Sequence, residues 1–204
     1  MQVLKNKTDK SILAAAKKLF LANQYNNVSM RDISSESGVG LSNIYNYYRN
    51  KDHLFRTVVK PATDGFGALL ELQIKNNFVD IFRLSSPEDL HIYINKYVEF
   101  IKDCSDELKI LFFKSRGSSL QNFKSDFIVK CCFNIRNSLG SKDVFGVSGN
   151  IISDFTIHMH VKTKFNVMEE ILLQEIPMDD LEKTIKEYIY FETTGWLKLI
   201  EKKA

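Results

Sequence analysis

A Gly-Val-Gly sequence at residues 38–40 separates two short segments in which the apolar residues have helical spacing. Ser29 precedes the first segment, and its side chain can cap a helix that carries Ile33 on one face. Glycine permits the backbone conformation that ends this helix, and a second helix carrying Ile44 follows at once. Because helices this short are unstable in isolation, the pattern predicts a small helical cluster with a shared core.

Helical spacing extends over almost the whole chain. The first helix is predicted from about Thr8 to Asn23, and the helix that follows Lys51 is expected to break or kink at Pro61. No alternating run between turn signals predicts a strand, so the predicted fold class is all-α. Residues 138–150 are rich in glycine and serine and predict a long loop. Further helices are predicted to start at Pro87 and to cover about 108–114, 120–139, 151–172 and 181–200.

The composition is that of an ordinary globular protein. The 204 residues are 44 % hydrophobic with only 9 Gly and 3 Pro, which excludes collagen-like and wholly disordered chains. The 3 Cys show no zinc-ligand spacing and do not suggest a disulfide framework, so a cytoplasmic location is predicted. No signal peptide and no stretch of 18 apolar residues is recognisable, so no membrane association is expected.

Positive charge is concentrated in the N-terminal part of the chain. Residues 1–60 hold ten Lys and Arg against four Asp and Glu, a balance of +6, whereas residues 61–204 carry a balance of −3. A cationic segment joined to a slightly acidic body indicates a polyanion-binding domain at 1–60 and a body at 61–204 with another task.

The two short helices around the Gly-Val-Gly turn have the helix-turn-helix pattern, in which the second helix enters the major groove of DNA. Ile33 and Ile44 can pack the pair against the first helix. Ser42, Asn43 and Tyr47 then remain outward, where they can form hydrogen bonds. The pattern therefore predicts a DNA-binding domain whose recognition helix begins near residue 41.

Residues 29–55, SMRDISSESGVGLSNIYNYYRNKDHLF, resemble the DNA-binding signature of the TetR family of bacterial transcription regulators, and the similarity extends upstream through ILAAAKKLF. The resemblance implies an N-terminal three-helix helix-turn-helix domain followed by a larger helical domain that binds an effector and dimerises. Gln24 departs from the family pattern, which usually has glycine after the first helix, so the chain must end that helix in another way.

The resemblance also implies which residues contact DNA. Arg31 matches a position that contacts a base in some members, and Ser29 matches a cap that also meets phosphate. Tyr48 matches a buried aromatic position and is interpreted as core. The predicted DNA contacts are Ser29, Arg31, Leu41, Ser42, Asn43, Tyr45, Tyr47 and Lys51.

The chemistry of these side chains suits the assignment. Arginine can fork onto guanine, asparagine can pair bidentately with adenine, and Leu41 can rest against a thymine methyl group. Tyrosine hydroxyls and Lys51 suit phosphate oxygens, which position a protein without reading sequence.

The body carries many aromatic residues, which are compatible either with a plain core or with the cavity that the resemblance implies. An aromatic-lined cavity with a few polar groups would hold a small apolar or amphipathic effector. The predicted polar ligand contacts are Tyr97, Arg116, Asn134 and His158.

The last two helices have broad apolar faces, and two such helices from each of two copies would form a four-helix dimer contact. The predicted dimer contacts are Phe165, Met168, Leu172, Tyr188, Phe191, Gly195, Trp196 and Leu199.

The predicted function is a homodimeric regulator, a repressor that a small molecule releases from a near-palindromic double-stranded DNA operator. One alternative is a DNA-binding regulator without an effector, whose body only dimerises or recruits a protein. A helical enzyme is disfavoured because no Ser/His/Asp set, carboxylate pair or phosphate loop can be assembled. No cofactor and no metal are predicted, since His158 and His160 would point about 200° apart on a helix.

Overall fold

The computed structural model describes residues 2–75, 87–140 and 152–201. Within these ranges the chain forms nine α-helices and one short 3₁₀ helix and no strand, so the predicted all-α fold class is confirmed. The helices are α1 (Gln2–Ala22), α2 (Met30–Ser37), α3 (Leu41–Tyr45), α4 (Lys51–Val58), α5 (Lys60–Lys75), α6 (Pro87–Phe113), α7 (Phe123–Gly140), α8 (Asp154–Leu173) and α9 (Met178–Glu201). The 3₁₀ helix, Tyr25–Asn27, follows α1.

Two predicted boundaries differ in detail from the structure. The third helix is shorter than expected, because α3 ends at Tyr45 and Tyr48 lies in the turn before α4. The predicted helix at about 108–114 corresponds to the part of α6 after Cys104, where non-helical angles (φ −119°, ψ 17°) form a kink between two helical parts, so this helix begins a few residues earlier than predicted. No Gly or Pro between 104 and 113 stops the helix. Most of the predicted loop, 141–150, lies outside the described residues.

Pro61 lies in the first turn of α5 rather than inside a helix. Helix α4 ends at Val58, and Val59 leaves helical geometry at φ −89° and ψ 4°. Proline is tolerated in a first turn because its missing N–H would have no helical partner there. The helix break expected near Pro61 therefore falls just before it.

The chain divides into two compact units, which are described separately. The first unit comprises Met1–Asp64 and Cys104–Phe123, and the second comprises Gly65–Asp103 and Lys124–Ala204. The first unit therefore includes residues 104–123 in addition to the N-terminal residues that the sequence analysis assigned to a domain of their own.

The core of the first unit is built around an aromatic cluster. Phe20 and Phe55 are fully buried with ring centroids 5.1 Å apart, and both rings contact Tyr25. Ile33 of α2 and Ile44 of α3 are also fully buried. These contacts fix α2 and α3 on the core, which leaves their opposite faces to solvent.

Candidate functional site

Helix α2 has well-defined ends. The Ser29 hydroxyl accepts a hydrogen bond from the Asp32 N–H at 3.2 Å, and the Asp32 carboxylate accepts one from the Ser29 N–H at 2.8 Å, which completes a capping box. The hydrogen bonds that the carboxylate accepts from Ser29 lower the pKa of Asp32 because they stabilise its charged form. Gly38 ends the helix in the left-handed conformation, with φ 67°. The turn chemistry that the sequence predicted is therefore present.

The outward face of α3 presents polar side chains to solvent. Ser42 and Asn43 are exposed, Tyr45 is 48 % exposed, and Leu41 and Tyr47 are half-buried. Arg31 and Ser29 of the α2 region are also exposed, although the Ser29 hydroxyl is engaged in the cap. This surface has the residue types that can contact base edges in a major groove.

Lys51 has a structural role that the sequence did not predict. Its ammonium donates to the carbonyl oxygens of Tyr25 and Val28, both at 2.8 Å, and lies 4.1 Å from the centroid of the Tyr25 ring. Burial lowers the pKa of Lys51, and the charge of Asp32 opposes this. Two of its three N–H donors are thus engaged inside the protein, and its contact with phosphate stays a prediction.

Two further exposed residues lie in the turn after α3. Asn46 donates to the Asn43 side chain at 3.5 Å, and Arg49 is exposed. Arg49 is not among the predicted DNA contacts, although a cation next to the predicted recognition helix is typical of a phosphate contact. Tyr48, interpreted as core, is 4 % exposed and donates to Asp9 at 2.6 Å.

The C-terminal end of α6 binds Gln24, the residue that stands where the TetR pattern usually has glycine. The Gln24 amide donates to the carbonyl of Phe113 at 2.8 Å, and the Tyr25 N–H donates to the carbonyl of Lys114, also at 2.8 Å. Gln24 is therefore held by a segment distant in sequence, where a glycine would have had no side chain to bind.

The turn after α6 contacts α4 through Asp52. The Asp52 carboxylate accepts hydrogen bonds from the Ser119 N–H and the Ser119 hydroxyl, each at 2.8 Å. Gly117 reaches this position with φ 89°, and a Cβ there would collide with the Asn26 side chain. Residues 104–123 are consequently anchored to the helix-turn-helix part of their own unit.

The second unit contains two small cavities of about 40 and 20 Å³. Tyr97, Lys164 and Met168 line both, and aromatic residues such as Phe66 and Phe165 line the larger. The larger cavity has room for water, but both are far below the roughly 300–1,000 Å³ of a site for a drug-sized molecule. A ligand of that size requires side chains to move apart.

Buried polar side chains meet beside these cavities. Glu192 lies 2.7 Å from Nδ1 of His160, accepts a hydrogen bond from the Tyr188 hydroxyl at 3.0 Å, and lies 3.6 Å from Nζ of Lys164. The Tyr93 hydroxyl also hydrogen-bonds Lys164. A polar cluster in an apolar interior is expensive unless its members satisfy one another.

The cluster fixes the charge states of its members. Burial lowers the pKa of His160 to about 4, Lys164 acts in the same direction, and Glu192 opposes both. Burial would raise the pKa of Glu192, but Lys164 and His160 outweigh it and the pKa lies below its ordinary value. Burial lowers the pKa of Lys164, whereas Glu192 and Tyr93 raise it and prevail. At neutral pH, His160 is neutral and Lys164 and Glu192 are charged.

The predicted ligand contacts fall in different places. Tyr97 lines both cavities. Arg116 is exposed in the turn after α6, within the first unit. His158 is exposed on α8 and Asn134 is half-buried on α7, and neither is among the residues that line these two cavities.

An open groove of about 300 Å³ runs along α8 and α9. It is lined by Met159, Tyr188, Phe191 and Gly195 among others, and Phe191 is 79 % exposed. Apolar residues beyond the groove are exposed on the same two helices, namely Phe155 at 74 % and Tyr190 at 59 %.

The predicted dimer contacts divide between this groove and the interior. Phe165, Met168 and Leu172 are at most 5 % exposed in the single chain, so they have almost no surface left for a partner. The reason is that other elements of the second unit cover them, as Phe66 does by stacking on Phe165 at 5.3 Å. Tyr188, Phe191 and Gly195 line the groove, and Trp196 and Leu199 follow on α9, although their side chains lie outside the described residues.

In the described ranges, no group of three or more His, Cys, Asp or Glu is placed to hold a metal ion. None of the helices in these ranges combines the length and the apolar character needed to cross a bilayer.

Residues 12–58 match the family model described as "Bacterial regulatory proteins, tetR family". No curated protein matches the sequence significantly. Among solved structures, the chain is similar to a TetR-like transcriptional regulator from Rhodococcus sp. RHA1, with 15 % identity, coverage of 92 % of this chain and 96 % of that chain, and a TM-score of 0.59.

Two further structures show the same relationship. The fatty acid degradation regulator FadR from Bacillus halodurans has 16 % identity, coverage of 92 % and 95 %, and a TM-score of 0.61. NalD, the secondary repressor of the MexAB-OprM multidrug efflux pump in Pseudomonas aeruginosa, has 16 % identity, coverage of 92 % and 96 %, and a TM-score of 0.57. Such identities show a shared fold: residues 12–58 are similar to the N-terminal domain of bacterial regulatory proteins of the tetR family, and the chain as a whole shares the all-helical fold of these solved structures.

Proposed function

We propose that this protein is a homodimeric transcription repressor, which binds a near-palindromic DNA operator in the cytoplasm and leaves it when a small molecule enters the second unit. The observation that carries the DNA-binding part is the exposure of Ser42, Asn43 and Tyr45 on α3 above the fully buried Ile33 and Ile44. A rigidly held helix with such an outward face suits direct contact with base edges. NalD, described as a repressor, shares the fold and favours repression over activation of transcription as the proposed role.

The proposed DNA contacts combine base and phosphate recognition. Arg31 and Asn43 have the side chains that pair bidentately with guanine and adenine. Tyr45 and Tyr47 supply hydroxyls for phosphate, and Arg49 adds an exposed cation to them. Leu41 and Ser42 complete the surface, together with the exposed Ser29, whose hydroxyl and N–H both take part in the capping box of α2.

The proposed dimer forms through α8 and α9. Phe155, Met159, Tyr190 and Phe191 are between 42 % and 79 % exposed on these two helices. Several exposed apolar side chains on two neighbouring helices favour a protein partner. A second copy of the same face makes a symmetric contact, which matches the two-fold symmetry of a palindromic operator.

The small volume of the two cavities favours a second candidate function, a DNA-binding regulator without a small-molecule effector. In that case the second unit only dimerises or recruits a protein. The two functions differ in one measurable respect, since only the first predicts that a small molecule weakens operator binding.

Selection of bound duplexes from a random DNA pool tests the proposed function. We expect enrichment of inverted repeats whose half-sites are about one helical turn apart or a multiple of it, bound by an even number of protomers. Asn43→Ala should relax base preference at one position of each half-site by about 1–3 kcal/mol. Asn137→Ala, which changes an exposed asparagine on α7, is the matched control and should leave the selected sequence unchanged. Failure to enrich any sequence would refute the proposal.

A further inference from the structure

Lys164 is a charged member of the polar cluster beside the two cavities of the second unit. Its side chain is 16 % exposed, and it forms part of the wall between the two cavities together with Tyr97 and Met168. A buried lysine is retained only where a partner stabilises its charge. The charged partner of Lys164 is Glu192 on α9.

The pairing of Lys164 with Glu192 is incomplete. The distance from Nζ to the carboxylate is 3.6 Å, which is longer than a charge-assisted hydrogen bond. The other oxygen of Glu192 is occupied by His160 at 2.7 Å and by the Tyr188 hydroxyl at 3.0 Å. Glu192 is thus directed mainly toward its other neighbours, and the Tyr93 hydroxyl engages one of the three ammonium donors, so the ammonium has capacity for a closer anion.

We propose that the second unit binds an apolar molecule that carries one carboxylate, with the carboxylate paired to Lys164 and the apolar part in the larger cavity. This inference rests on the ligand-controlled form of the proposed function. The larger cavity suits an aliphatic chain because Phe66, Leu69 and Phe165 are among its lining residues. Tyr97 lines both cavities together with Lys164, and its hydroxyl hydrogen-bonds Tyr93, which itself hydrogen-bonds Lys164.

The positions of the two charges favour an anionic ligand over a cationic one. Lys164 lines both cavities, whereas Glu192 lines only the smaller of the two and the open groove. A cation in the larger cavity would therefore contact the ammonium of Lys164, which repels it, rather than the carboxylate of Glu192. An anion there gains a charge-assisted hydrogen bond with a side chain that is already desolvated.

Space for the ligand comes from the wall between the cavities. Met168 is part of this wall, and methionine changes rotamer at low cost because its side chain is unbranched. Movement of Met168 with Lys164 would join the two volumes. The small cavities are then the closed form of a site that the ligand opens.

Calorimetric titration of the full-length protein tests the proposal with three probes of equal chain length: octanoate, 1-octanol and octylammonium. We expect octanoate to bind at least about tenfold more tightly than either of the others.

Variants assign the preference to Lys164. Lys164→Met should remove the preference for octanoate over 1-octanol, whereas Lys162→Met, which changes an exposed lysine on the same helix, should retain it. Glu192→Gln should increase octanoate affinity, because it removes the competing carboxylate, and this variant remains informative if Lys164→Met does not fold.

The outcomes separate this inference from the proposed function. Equal binding of octanoate and 1-octanol, tighter binding of octylammonium, or no binding of octanoate would each overturn it. Operator binding by the ligand-free protein is measured independently, so a protein that selects an inverted repeat but ignores octanoate contradicts only the ligand. A protein that binds octanoate but no DNA contradicts the proposed function instead.

Discussion

Replacement of Lys51 by methionine separates its structural role from a contact with phosphate. Methionine keeps most of the apolar stem but removes the ammonium that donates to the carbonyls of Tyr25 and Val28 at 2.8 Å each. Tyr25 and Val28 are 7 % and 2 % exposed, so water replaces the lost donor poorly. A hydrogen bond to a charged group contributes about 1.5–3 kcal/mol, and partial access of water to the site reduces the expected total for the two bonds to about 2–4 kcal/mol.

That loss is large compared with the roughly 5–15 kcal/mol by which a domain is stable. For a chain of this length it corresponds to a fall in Tm of about 5–15 °C, which thermal unfolding followed by circular dichroism would measure. Operator binding at low temperature, where the Lys51→Met protein remains folded, should show nearly the wild-type dependence on salt concentration.

Arg49→Met is the matched control, because it removes an exposed cation two residues away in sequence. It should leave Tm within about 1 °C and reduce the slope of log Kobs against log salt by about 0.9 for each protomer. The reasoning would be refuted if Lys51→Met left Tm unchanged and reduced the salt slope as much as Arg49→Met does. Lys51 would then contact phosphate, as the resemblance implies, and the internal hydrogen bonds would contribute little.

Three further changes test other parts of the structure. Ser29→Ala removes the capping box and should lower the free energy of unfolding by about 1 kcal/mol in urea titrations, and an unchanged midpoint would contradict the cap. Phe191→Asp should convert the dimer into monomers in light-scattering measurements, whereas Phe133→Asp, which changes another largely exposed phenylalanine, on α7, should not; a stable Phe191→Asp dimer would show that the contact lies elsewhere. His160 has a pKa of about 4 in the folded chain, so only the unfolded chain binds a proton at this residue between about pH 6.5 and 4. Acidification through this range therefore lowers the free energy of unfolding, and the decrease should be smaller in His160→Gln. Equal pH dependence of unfolding for the two proteins would show that the histidine is not kept neutral by the fold.

The helix-turn-helix was predictable because its determinants are local in sequence. Ser29 and Asp32 cap α2 through bonds that span three residues, and Gly38 ends it with φ 67°. Ile33 and Ile44 lie at positions where only one helical face can be buried. Turn chemistry and apolar spacing therefore agreed with the tertiary structure at this site.

The role of residues 104–123 was not predictable, because it depends on contacts between positions distant in sequence. Gln24 hydrogen-bonds the carbonyl of Phe113, and Asp52 accepts two hydrogen bonds from Ser119. Each of these side chains is an ordinary surface residue in the sequence, and no spacing rule connects them. The same reason explains Lys51, whose carbonyl partners precede it by more than twenty residues.

The buried face of α8 shows what the periodicity of a sequence determines and what it leaves open. The sequence interpretation placed Phe165 and Met168 on a dimer face, because spacing identifies which face of a helix is covered but not whether the same chain or a second copy covers it. The structure buries both within one chain, on the same face as His160 and Lys164. A histidine and a lysine four residues apart, in register with Met168 four residues further on, do not fit a solvated face. Lys164, a lysine among apolar residues on this face, therefore indicates a buried polar site. Its spacing indicates that the histidine of that site is His160 rather than His158.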